Sequence, residues 1–569
     1  MKNLLLSTPF LIASVALLLS ACGGGSSSSS APIEVSDVGL TNTNPAAFSS
    51  NVDRDTSILA IFSGDLFAPS VDNNSVQLFK NDEPVAANVS LVLPNIIDIQ
   101  TERPLDLLSN YIPIISRDVT DLEGRLFAID ALLFWPFVTR DGIWRDPVAF
   151  NQSTNSPPVL ITDNEDITWG FYQRANGFTG ENEIFAKVLQ ADNTWSIDQL
   201  VSNGVDDEDV ASKPQVVVLA NGDLLAVWEE LGPGATPTQI GYNRYSQDNN
   251  SWGDSQLISG SALIAPQMNP QLASNDQGDT MVAFEVDFAG NADIVTRRYD
   301  IDNDKWQDNI VIDSLDEEAG HPRISINEAG EAMVIWYQND RVYSSHYAGN
   351  AWSAATTIDN FLEDSVQPGL QLVHNSRGDF MALWSQDDNG FLRSFIWFNR
   401  HVRGQGWDVT AKIIPNSDYG YRPEVVINRD DNMIAVWQRA TTEDDLMFSG
   451  FNILDDEWTD GELLESNDQP ASEHRLIVDN SGNIMAVWNQ NREGLFFNLN
   501  GDNFLNPPTI WVRRFDNTDG GEWTAATSIS EFVDEVNSPA ITNNSSGETA
   551  VLWGQNNDGE FSIQSRYFD

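Results

Sequence analysis

The chain has 569 residues, of which 84 are Asp or Glu and 30 are Lys or Arg, so its formal net charge at pH 7 is −54. An acidic excess of this size opposes binding to nucleic acids and to anionic lipid surfaces, which excludes DNA and RNA as expected partners. Cys22 is the single cysteine, so the sequence offers neither a disulfide nor a cysteine-based zinc site.

The N-terminal residues have the features of an export signal. Lys2 supplies a positive charge, Leu4–Leu19 is a mainly apolar stretch too short to cross a bilayer comfortably, and Leu19-Ser20-Ala21-Cys22 follows. This pattern resembles a bacterial lipoprotein signal with its lipobox; the alternative is a plain secretory leader. The resemblance implies cleavage after residue 21, lipidation of Cys22 and a Gly/Ser tether over residues 22–31. Gly23, where an Asp would signal retention in the inner membrane, favours the outer membrane.

The segment 32–140 alternates short apolar runs, such as Ser57–Phe62 and Ser75–Phe79, with turns rich in Asn, Asp and Pro. This alternation predicts a β-sandwich. The segment resembles the bacterial Ig-like domain of S-layer and other surface proteins, on the basis of Asn44-Pro45, Asn110-Tyr111, Asp118, Asp121–Gly124 and Phe134–Thr139. The resemblance implies a spacer or stalk.

Residues 141–569 contain a repeat of roughly 50 residues, the size of one four-stranded propeller blade. Each copy opens with a turn and a tryptophan, which are Trp144, Trp195, Trp252, Trp306, Trp352, Trp407, Trp458 and Trp523. The repeat predicts an all-β chain in which a β-propeller follows the sandwich.

Each copy also contains a hairpin signal six residues before a second Trp, or before Phe284 in the copy with Gly278. Six copies place a glycine there, Gly222, Gly278, Gly330, Gly378, Gly482 and Gly547, and the other two place Asp163 and Asp431. These residue types tolerate the positive φ of a tight hairpin. The run that follows, as in Leu224–Trp228, is continuously apolar, which is typical of a strand buried on both faces. A proline fourteen residues before the second Trp opens the first strand in five copies: Pro214, Pro270, Pro322, Pro423 and Pro539.

The two ends of the repeat region complete each other. Residues 144–150 form a fourth strand without a blade, and the last copy ends at Asp569 after its third strand. We therefore predict eight blades, with the ring closed by the strand from the N-terminal end of the propeller. The alternative is seven blades, if the copy containing Asp163 does not form one.

The cycle of Pro, hairpin Gly, Trp and turn Trp resembles the propellers of the sialidase-like, Asp-box type, although the strict box of Ser, Asp, Gly, Thr and Trp is not reproduced. That resemblance implies glycoside hydrolysis as one reading, but the family's catalytic residues have no counterpart that can be placed here. The recurring arginines, Arg244, Arg298, Arg514 and Arg566, occupy one repeat position, so we expect them to pack the blades.

The connections of a four-stranded blade fall on two faces. The first and third turns lie on one face, and the second turn and the crossing to the next blade lie on the other, where this chain is irregular and acidic. Variable loops on a uniform scaffold are typical of a working face. On its crossing loops the candidate calcium ligands are Asp206, Asp207, Asp209, Asp316 and Glu317, and solvated acidic loops are the alternative.

Aromatic and histidine residues supply the other candidates. Trp397, Trp511, Tyr419 and Tyr421 are candidate contacts for a sugar or a protein, with filling of space beneath loops as the alternative. His321 and His474 end crossing loops and are weak candidates for a catalytic base.

These observations favour a surface-anchored, non-enzymatic binding or scaffold lipoprotein in the outer membrane. Its irregular acidic face would engage a glycan or a protein, with calcium as a candidate cofactor. The alternative is a sialidase-like hydrolase or a polysaccharide lyase acting on extracellular glycans.

Overall fold

The computed structural model describes residues 35–80, 83–127, 133–152, 157–175, 182–203, 210–231, 238–258, 265–287, 290–313, 315, 317–360, 366–387, 393–441, 444–465, 469–491, 495–497, 503–505, 508–517, 521–531, 535–557 and 560–569. Two compact units divide the chain. One contains residues 1–143 with 515–523 and 569, and the other contains residues 144–514 and 524–568. The all-β prediction is confirmed: among the described residues the helical element is a 3₁₀ turn, Ala68–Ser70.

The N-terminal unit is a β-sandwich. One sheet contains, in spatial order, β1 (Leu40–Asn44), β3 (Ile58–Phe62), β7 (Ile96–Thr101) and β6 (Ala87–Leu93). The other contains β2 (Ser49–Val52), β9 (Phe137–Thr139), β8 (Asn110–Ile115), β4 (Val76–Lys80) and β5 (Glu83–Val85). Alternate residues of both sheets, such as Phe62 and Phe137, share one buried core. The Ig-like assignment of this sandwich stays a prediction.

The second unit is a β-propeller whose described residues form eight sheets, each an antiparallel meander. The first strands are β11 (Val159–Thr162), β15 (Val210–Val218), β20 (Gln267–Ser274), β25 (Ala319–Ile326), β30 (Val366–His374), β35 (Gly420–Ile427), β40 (Ala471–Val478) and β47 (Glu535–Asn543). The second strands are β12 (Thr168–Ala175), β16 (Leu224–Leu231), β21 (Thr280–Asp287), β26 (Ala332–Gln338), β31 (Phe380–Asp387), β36 (Met433–Arg439), β41 (Ile484–Asn491) and β48 (Thr549–Asn557).

The third strands are β13 (Asn182–Val188), β17 (Gln239–Ser246), β22 (Ala292–Asp300), β27 (Arg341–Ala348), β32 (Ser394–Val402), β37 (Asp445–Asn452), β44 (Pro508–Asp516) and β49 (Glu560–Phe568). The outer edges are short: β14 (Gln199–Leu200), β18 (Ser251–Trp252), β19 (Gln256–Leu257), β23 (Lys305–Trp306), β24 (Ile310–Val311), β28 (Ala351–Trp352), β29 (Thr356–Thr357), β33 (Gly406–Trp407), β34 (Lys412–Ile413), β38 (Glu457–Trp458), β39 (Glu462–Leu463), β45 (Glu522–Trp523) and β46 (Thr527–Ser528). A separate hairpin, β42 (Leu495–Phe497) and β43 (Asn503–Leu505), lies within the seventh repeat.

The sheets follow one another in a closed circle. Each first strand contacts the first strand of the next sheet, and β47 of the last sheet contacts β11 of the first. The first strands therefore surround the axis of the ring and line its central channel. The predicted closure is confirmed, because β10 (Val148–Gln152) pairs antiparallel with β49 and supplies the outer strand of the last sheet.

The hairpin glycines adopt the backbone conformation that their spacing predicts. Gly222, Gly278, Gly330, Gly378, Gly482 and Gly547 have φ between 75° and 97°, and Asp431 has φ of 62°. The prediction for Asp163 is wrong, because Asp166 is the positive-φ residue of that hairpin. The first sheet is therefore offset by three residues, and Tyr172 takes the buried position that a tryptophan takes elsewhere. Trp169 instead donates its indole N–H to Asp163 Oδ2 at 2.9 Å.

Buried second strands form the core between neighbouring sheets. Their tryptophans, Trp228, Trp336, Trp384, Trp437, Trp488 and Trp553, are almost fully buried. Several donate the indole N–H to a glutamine two residues later, as Trp384 does to Gln386 at 2.8 Å. Across the part of the chain that the structure describes, it shows no helix with the length and apolar character needed to span a bilayer.

Candidate functional site

The channel has a ring of distorted backbone at one end. Seven of the eight first strands contain a register shift near their start, where two or three residues oppose one residue of the second strand. At five of these bulges a residue other than glycine has φ between 50° and 54°: Lys213, Asn269, His321, Arg422 and Glu473. Such conformations cost free energy and are common beside functional sites. We call these five residues the bulge ring.

The bulge ring has one backbone geometry and five different side chains. A buried proline follows the ring residue in four of the sheets, as Pro322 follows His321, and His474 follows Glu473 in the fifth. Because each first strand enters from a crossing loop, the ring lies on the irregular face that the sequence predicts as the working face. Lys213, His321 and Arg422 are exposed there.

Two glutamates on second strands hold part of the ring together. Glu229 Oε1 accepts a hydrogen bond from the backbone N–H of Asn269 at 2.8 Å and another from Lys213 Nζ at 3.0 Å. Glu285 Oε1 accepts from the backbone N–H of His321 at 2.6 Å and from Asn269 Nδ2 at 2.9 Å. These carboxylates join consecutive sheets, so their role is structural.

A second set of side chains, the channel set, lies two positions after the ring on the first strands, which surround the channel. Its members are Gln215, Gln271, Arg323, Glu424, Arg475 and, after a longer bulge, Gln371. Arg323 belongs to the fourth sheet, and Arg475 belongs to the seventh, three sheets further around the ring. They are close enough that Arg475 contributes, after burial, to lowering the pKa of the Arg323 guanidinium.

Glu424 is the acidic member of this set. Its Oε1 accepts the backbone N–H of Leu476 at 2.9 Å, and its Oε2 lies 3.7 Å from Arg475 Nη1. Burial raises the pKa of the Glu424 carboxyl to about 7, although Arg475 and the Leu476 N–H act in the opposite direction. The carboxyl therefore exchanges its proton near neutral pH.

The two candidate histidines occupy different environments. His321 is an exposed member of the bulge ring, and its imidazole contacts Tyr337 edge to face at 5.6 Å. His474 is 3% exposed and occupies the proline position of its sheet. Burial lowers its pKa to about 3, with Arg475 adding to the decrease and the nearby backbone of Val436 and Arg422 partly offsetting it. His474 is therefore a neutral side chain below the surface rather than a group at the mouth.

The candidate tryptophans are mainly structural. Trp397 and Trp511 occupy the same position in third strands of two sheets, where each donates its indole N–H to a main-chain carbonyl at 3.2 Å, of Gln386 and Gln490. Trp397 is 5% exposed and Trp511 is half-buried. This pattern matches the alternative of internal packing.

The candidate tyrosines lie beside the bulge ring. Tyr419 ends a crossing loop with φ of 59°, and the Arg393 guanidinium lies 5.3 Å from the centre of its ring. Tyr421 is the second residue of β35, next to Arg422, and burial, followed by Asp444, raises its pKa. Both rings are half-buried, which leaves part of each face accessible to a ligand.

Several predicted groups fall outside the described residues, namely Cys22, Asp206, Asp207, Asp209 and Asp316. Glu317 is exposed, and its main-chain carbonyl accepts Gln338 Nε2 at 2.7 Å. Within the described ranges, no group of three or more His, Cys, Asp or Glu side chains is arranged to hold a metal ion. Calcium binding by the acidic crossing loops stays a prediction.

Three of the repeat arginines join parts of their own sheets, and the fourth, Arg566, joins the last sheet to the one before it. Arg244 pairs with Asp223 at 2.6 Å and Arg514 pairs with Asp479 at 2.9 Å, and Arg298 pairs with Asp279 in the same way. Arg566 donates to the main-chain carbonyl of Ile529 at 2.8 Å. The prediction that these arginines pack the blades is confirmed.

The bulge ring and the channel set were missed by the sequence analysis. The sequence pattern that could have indicated them is a polar residue on each side of the repeated proline. It occurs in Lys213-Pro-Gln215, Asn269-Pro-Gln271, His321-Pro-Arg323 and Arg422-Pro-Glu424. The proline is the same in each of these repeats, whereas the polar residues on either side of it differ. This pattern marks positions where the backbone repeats and the side chains vary.

No family model and no curated protein matches the sequence. Solved structures similar to this chain include a protein of unknown function from Dyadobacter fermentans, with 11% identity over 64% of this chain and 98% of that one at a TM-score of 0.35. An α-L-arabinanase from Penicillium chrysogenum in complex with arabinobiose is 12% identical over 55% of this chain and 98% of its own, with a TM-score of 0.36. An ulvan lyase from a new polysaccharide lyase family is 10% identical over 72% of this chain and 98% of its own, with a TM-score of 0.39. Likeness at this level carries no conclusion about activity.

Proposed function

We propose that the protein is a non-enzymatic binding lipoprotein of the outer membrane, whose propeller engages an extracellular glycan at the bulge-ring end of the channel. The observation that carries this proposal is the bulge ring itself, where one strained backbone geometry presents Lys, Asn, His, Arg and Glu side chains. A scaffold that repeats its backbone but varies its side chains at one rim suits recognition of an irregular ligand.

The surroundings of the ring support a glycan as the ligand. Tyr419 and Tyr421 provide aromatic faces that suit sugar rings, and Arg393 and Arg422 beside them provide donors for hydroxyl groups. The predicted lipid on Cys22 and the predicted stalk would place this face outside the membrane.

A glycan array tests this proposal, with the full-length protein and with calcium present or chelated. We expect binding that is lost in Tyr419→Ala and Arg422→Ala and kept in Arg377→Ala, since Arg377 lies at the Gly378 hairpin, near the other end of its sheet. Binding that survives both ring-side substitutions would contradict the proposed site.

A second candidate function is hydrolysis or lytic cleavage of the same class of ligand. It is favoured by Glu424, whose carboxyl has a pKa of about 7 inside the channel and is suited to exchange a proton at neutral pH. A fluorogenic glycosidase panel and an assay for unsaturated uronate products test it. Turnover that disappears in Glu424→Gln would replace the binding proposal with an enzymatic one.

A further inference from the structure

Six large apolar side chains are exposed at one end of the N-terminal sandwich. Each is between 40% and 59% exposed, and they are Val35, Phe67, Val92, Leu93, Leu122 and Leu126. Single exposed apolar residues are common on protein surfaces, whereas a group of this size at one end of a domain indicates a binding surface. We call these six residues the sandwich tip.

Backbone contacts hold three segments of the tip together. The Phe67 N–H donates to the Thr120 carbonyl at 2.9 Å, and Thr120 pairs with Leu126. The Leu126 carbonyl accepts the N–H of Ser36, the neighbour of Val35, also at 2.9 Å. The first described residue of the chain therefore lies beside the loops that carry Phe67 and Leu126.

Leu66 connects the other members of the tip. Its N–H donates to the carbonyl of Pro94 at 2.7 Å, and Pro94 follows Leu93 at the end of β6. Leu66 also pairs with Asp121, which precedes Leu122. Apolar residues from separate parts of the sequence thus meet at one end of the sandwich.

The tip is the end at which the chain enters the sandwich. β3 leads on to Phe67 at the tip, and residues 53–57 lead into β3 at its other end. At that other end the Arg140 N–H donates to the Val52 carbonyl at 2.7 Å, where the chain leaves the sandwich. Entry and exit therefore lie at opposite ends, and the exposed apolar residues lie at the entry.

The predicted lipid attachment is close to the tip along the chain. Val35 follows Cys22 by 13 residues. Even when fully extended, a chain of that length spans at most about 45 Å. A lipid on Cys22 would therefore keep the tip near the bilayer. A surface held so close needs little affinity of its own to stay bound, because a tether raises its effective concentration.

We propose that the sandwich tip docks on a zwitterionic phospholipid bilayer and inserts its apolar side chains at the interface, as a second membrane contact beside the lipid of Cys22. Binding of this kind grows with the apolar area that enters the interface. The inference goes beyond the proposed function and shares with it only the predicted attachment at Cys22.

The charges on the segments that form the tip favour a bilayer without net charge. Four exposed carboxylates lie on these segments: Asp37, Asp65, Asp118 and Glu123. The two arginines there are Arg117 and Arg125, and Arg125 Nε pairs with the buried Asp121 at 2.8 Å. The excess of negative charge repels an anionic bilayer. Docking should therefore be weaker on anionic lipid than on zwitterionic lipid.

The single cysteine permits a direct test. The mature chain that the lipobox predicts, which begins at Cys22, is coupled through that thiol to maleimide lipid in phosphatidylcholine vesicles. Coupling removes none of the described residues and supplies the anchor without natural lipidation. Hydrogen exchange of the coupled protein is compared with that of the same chain blocked by a soluble maleimide.

We expect amides in segments 65–68, 92–95 and 120–126 to exchange about threefold more slowly, or slower still, on the vesicles. Segments 53–57 and 101–108, at the other end of the sandwich, should not change. Adding phosphatidylglycerol to the vesicles should reduce the protection of the tip.

The variant with Phe67→Ser and Leu122→Ser should lose most of this protection. Both side chains are substantially exposed, at 44% and 59%, so these substitutions leave the buried core in place. The matched control is Val409→Ser, because Val409 is an equally apolar residue of the propeller unit that is 98% exposed. Its exchange should equal that of the wild type. If the double variant does not fold, Leu122→Ser alone keeps the test decisive.

The inference is overturned if the tip segments exchange alike on vesicles and in solution, if the serine variants keep the protection, or if phosphatidylglycerol strengthens it. Sedimentation of the blocked chain tests another occupant, since a dimer that Leu122→Ser dissociates would assign the tip to a second copy and overturn the inference too. No glycan is present in these experiments, so a failure of the proposed glycan binding would leave their result unchanged. Mass spectrometry of the protein isolated from membranes tests the lipid on Cys22 separately.

Discussion

The Glu285 carboxylate accepts a hydrogen bond from the backbone N–H of His321 at 2.6 Å, which joins the second strand of one sheet to the bulge of the next. The same oxygen accepts from Asn269 Nδ2 at 2.9 Å. Glu285→Ala should lower the free energy of unfolding by about 2 kcal/mol, because two partly buried donors lose a charged acceptor. Urea denaturation measures this, with the exposed Glu318→Ala as the control. Equal losses in both variants would contradict the structural role.

His474→Pro should stabilise the protein in acid. Burial lowers the pKa of His474 in the folded protein to about 3. In the unfolded chain the imidazole has its ordinary pKa of 6.5, so it is protonated below that pH. The folded state therefore loses stability as the pH falls from about 6.5, by about 2 kcal/mol at pH 5.

Proline occupies this position in five other sheets, so the substitution fits the backbone and removes the titrating group. Thermal or urea unfolding should show that the advantage of His474→Pro shrinks as the pH rises from about 5 towards 7. A difference that does not vary with pH would refute a neutral, buried His474.

Arginine–aspartate ion pairs of the propeller should contribute to stability according to their burial. Arg514 and Asp479 are each 6% exposed, so Arg514→Ala leaves an unpaired buried carboxylate and should cost about 3–5 kcal/mol. Arg377 is 53% exposed beside Asp431, and Arg377→Ala should cost less than about 1 kcal/mol. Denaturant unfolding of the two variants tests the contrast, and similar losses would contradict it.

Gly369 should not tolerate a side chain. Its φ is 132°, and a Cβ there would lie 3.2 Å from Arg422 Cα, in the contact between two first strands. Gly369→Ala should cost about 1–3 kcal/mol, because a backbone atom cannot move aside as a side chain can. Gly450→Ala, where no atom lies closer than 4.0 Å, is the control for thermal unfolding. A Gly369→Ala protein as stable as the control would show that the strands can separate.

The fold was predictable where its signals are local. The positive φ of Gly222 and its equivalents follows from the hairpin spacing, and the closure by residues 144–150 follows from counting strands. The offset of the first sheet was not predictable, because Trp169 stands where the spacing requires a Trp, whereas Tyr172 fills the buried position.

For the candidate site, the sequence predicted only the face of the propeller on which it lies, and not the residues that form it. The sequence predicted His474 near the mouth. In the structure it is buried, because it occupies the position that a buried proline takes in other sheets. Arg323 and Arg475 lie far apart along the chain, and they approach each other only because the ring closes. No local sequence pattern indicates that two such distant residues come near each other, so their proximity could be recognised only in the closed ring.

Hydrogen exchange of the full-length protein, with and without the tightest ligand from the glycan array, tests most directly whether the bulge-ring end of the channel is the working site. We expect amides in segments 213–216, 321–324, 420–425 and 473–476 to gain protection when the ligand binds. The hairpins around Gly222, Gly330 and Gly482 should not change. Protection confined to those hairpins, with the bulge-ring segments unaffected, would show that the ligand binds at the opposite end of the channel.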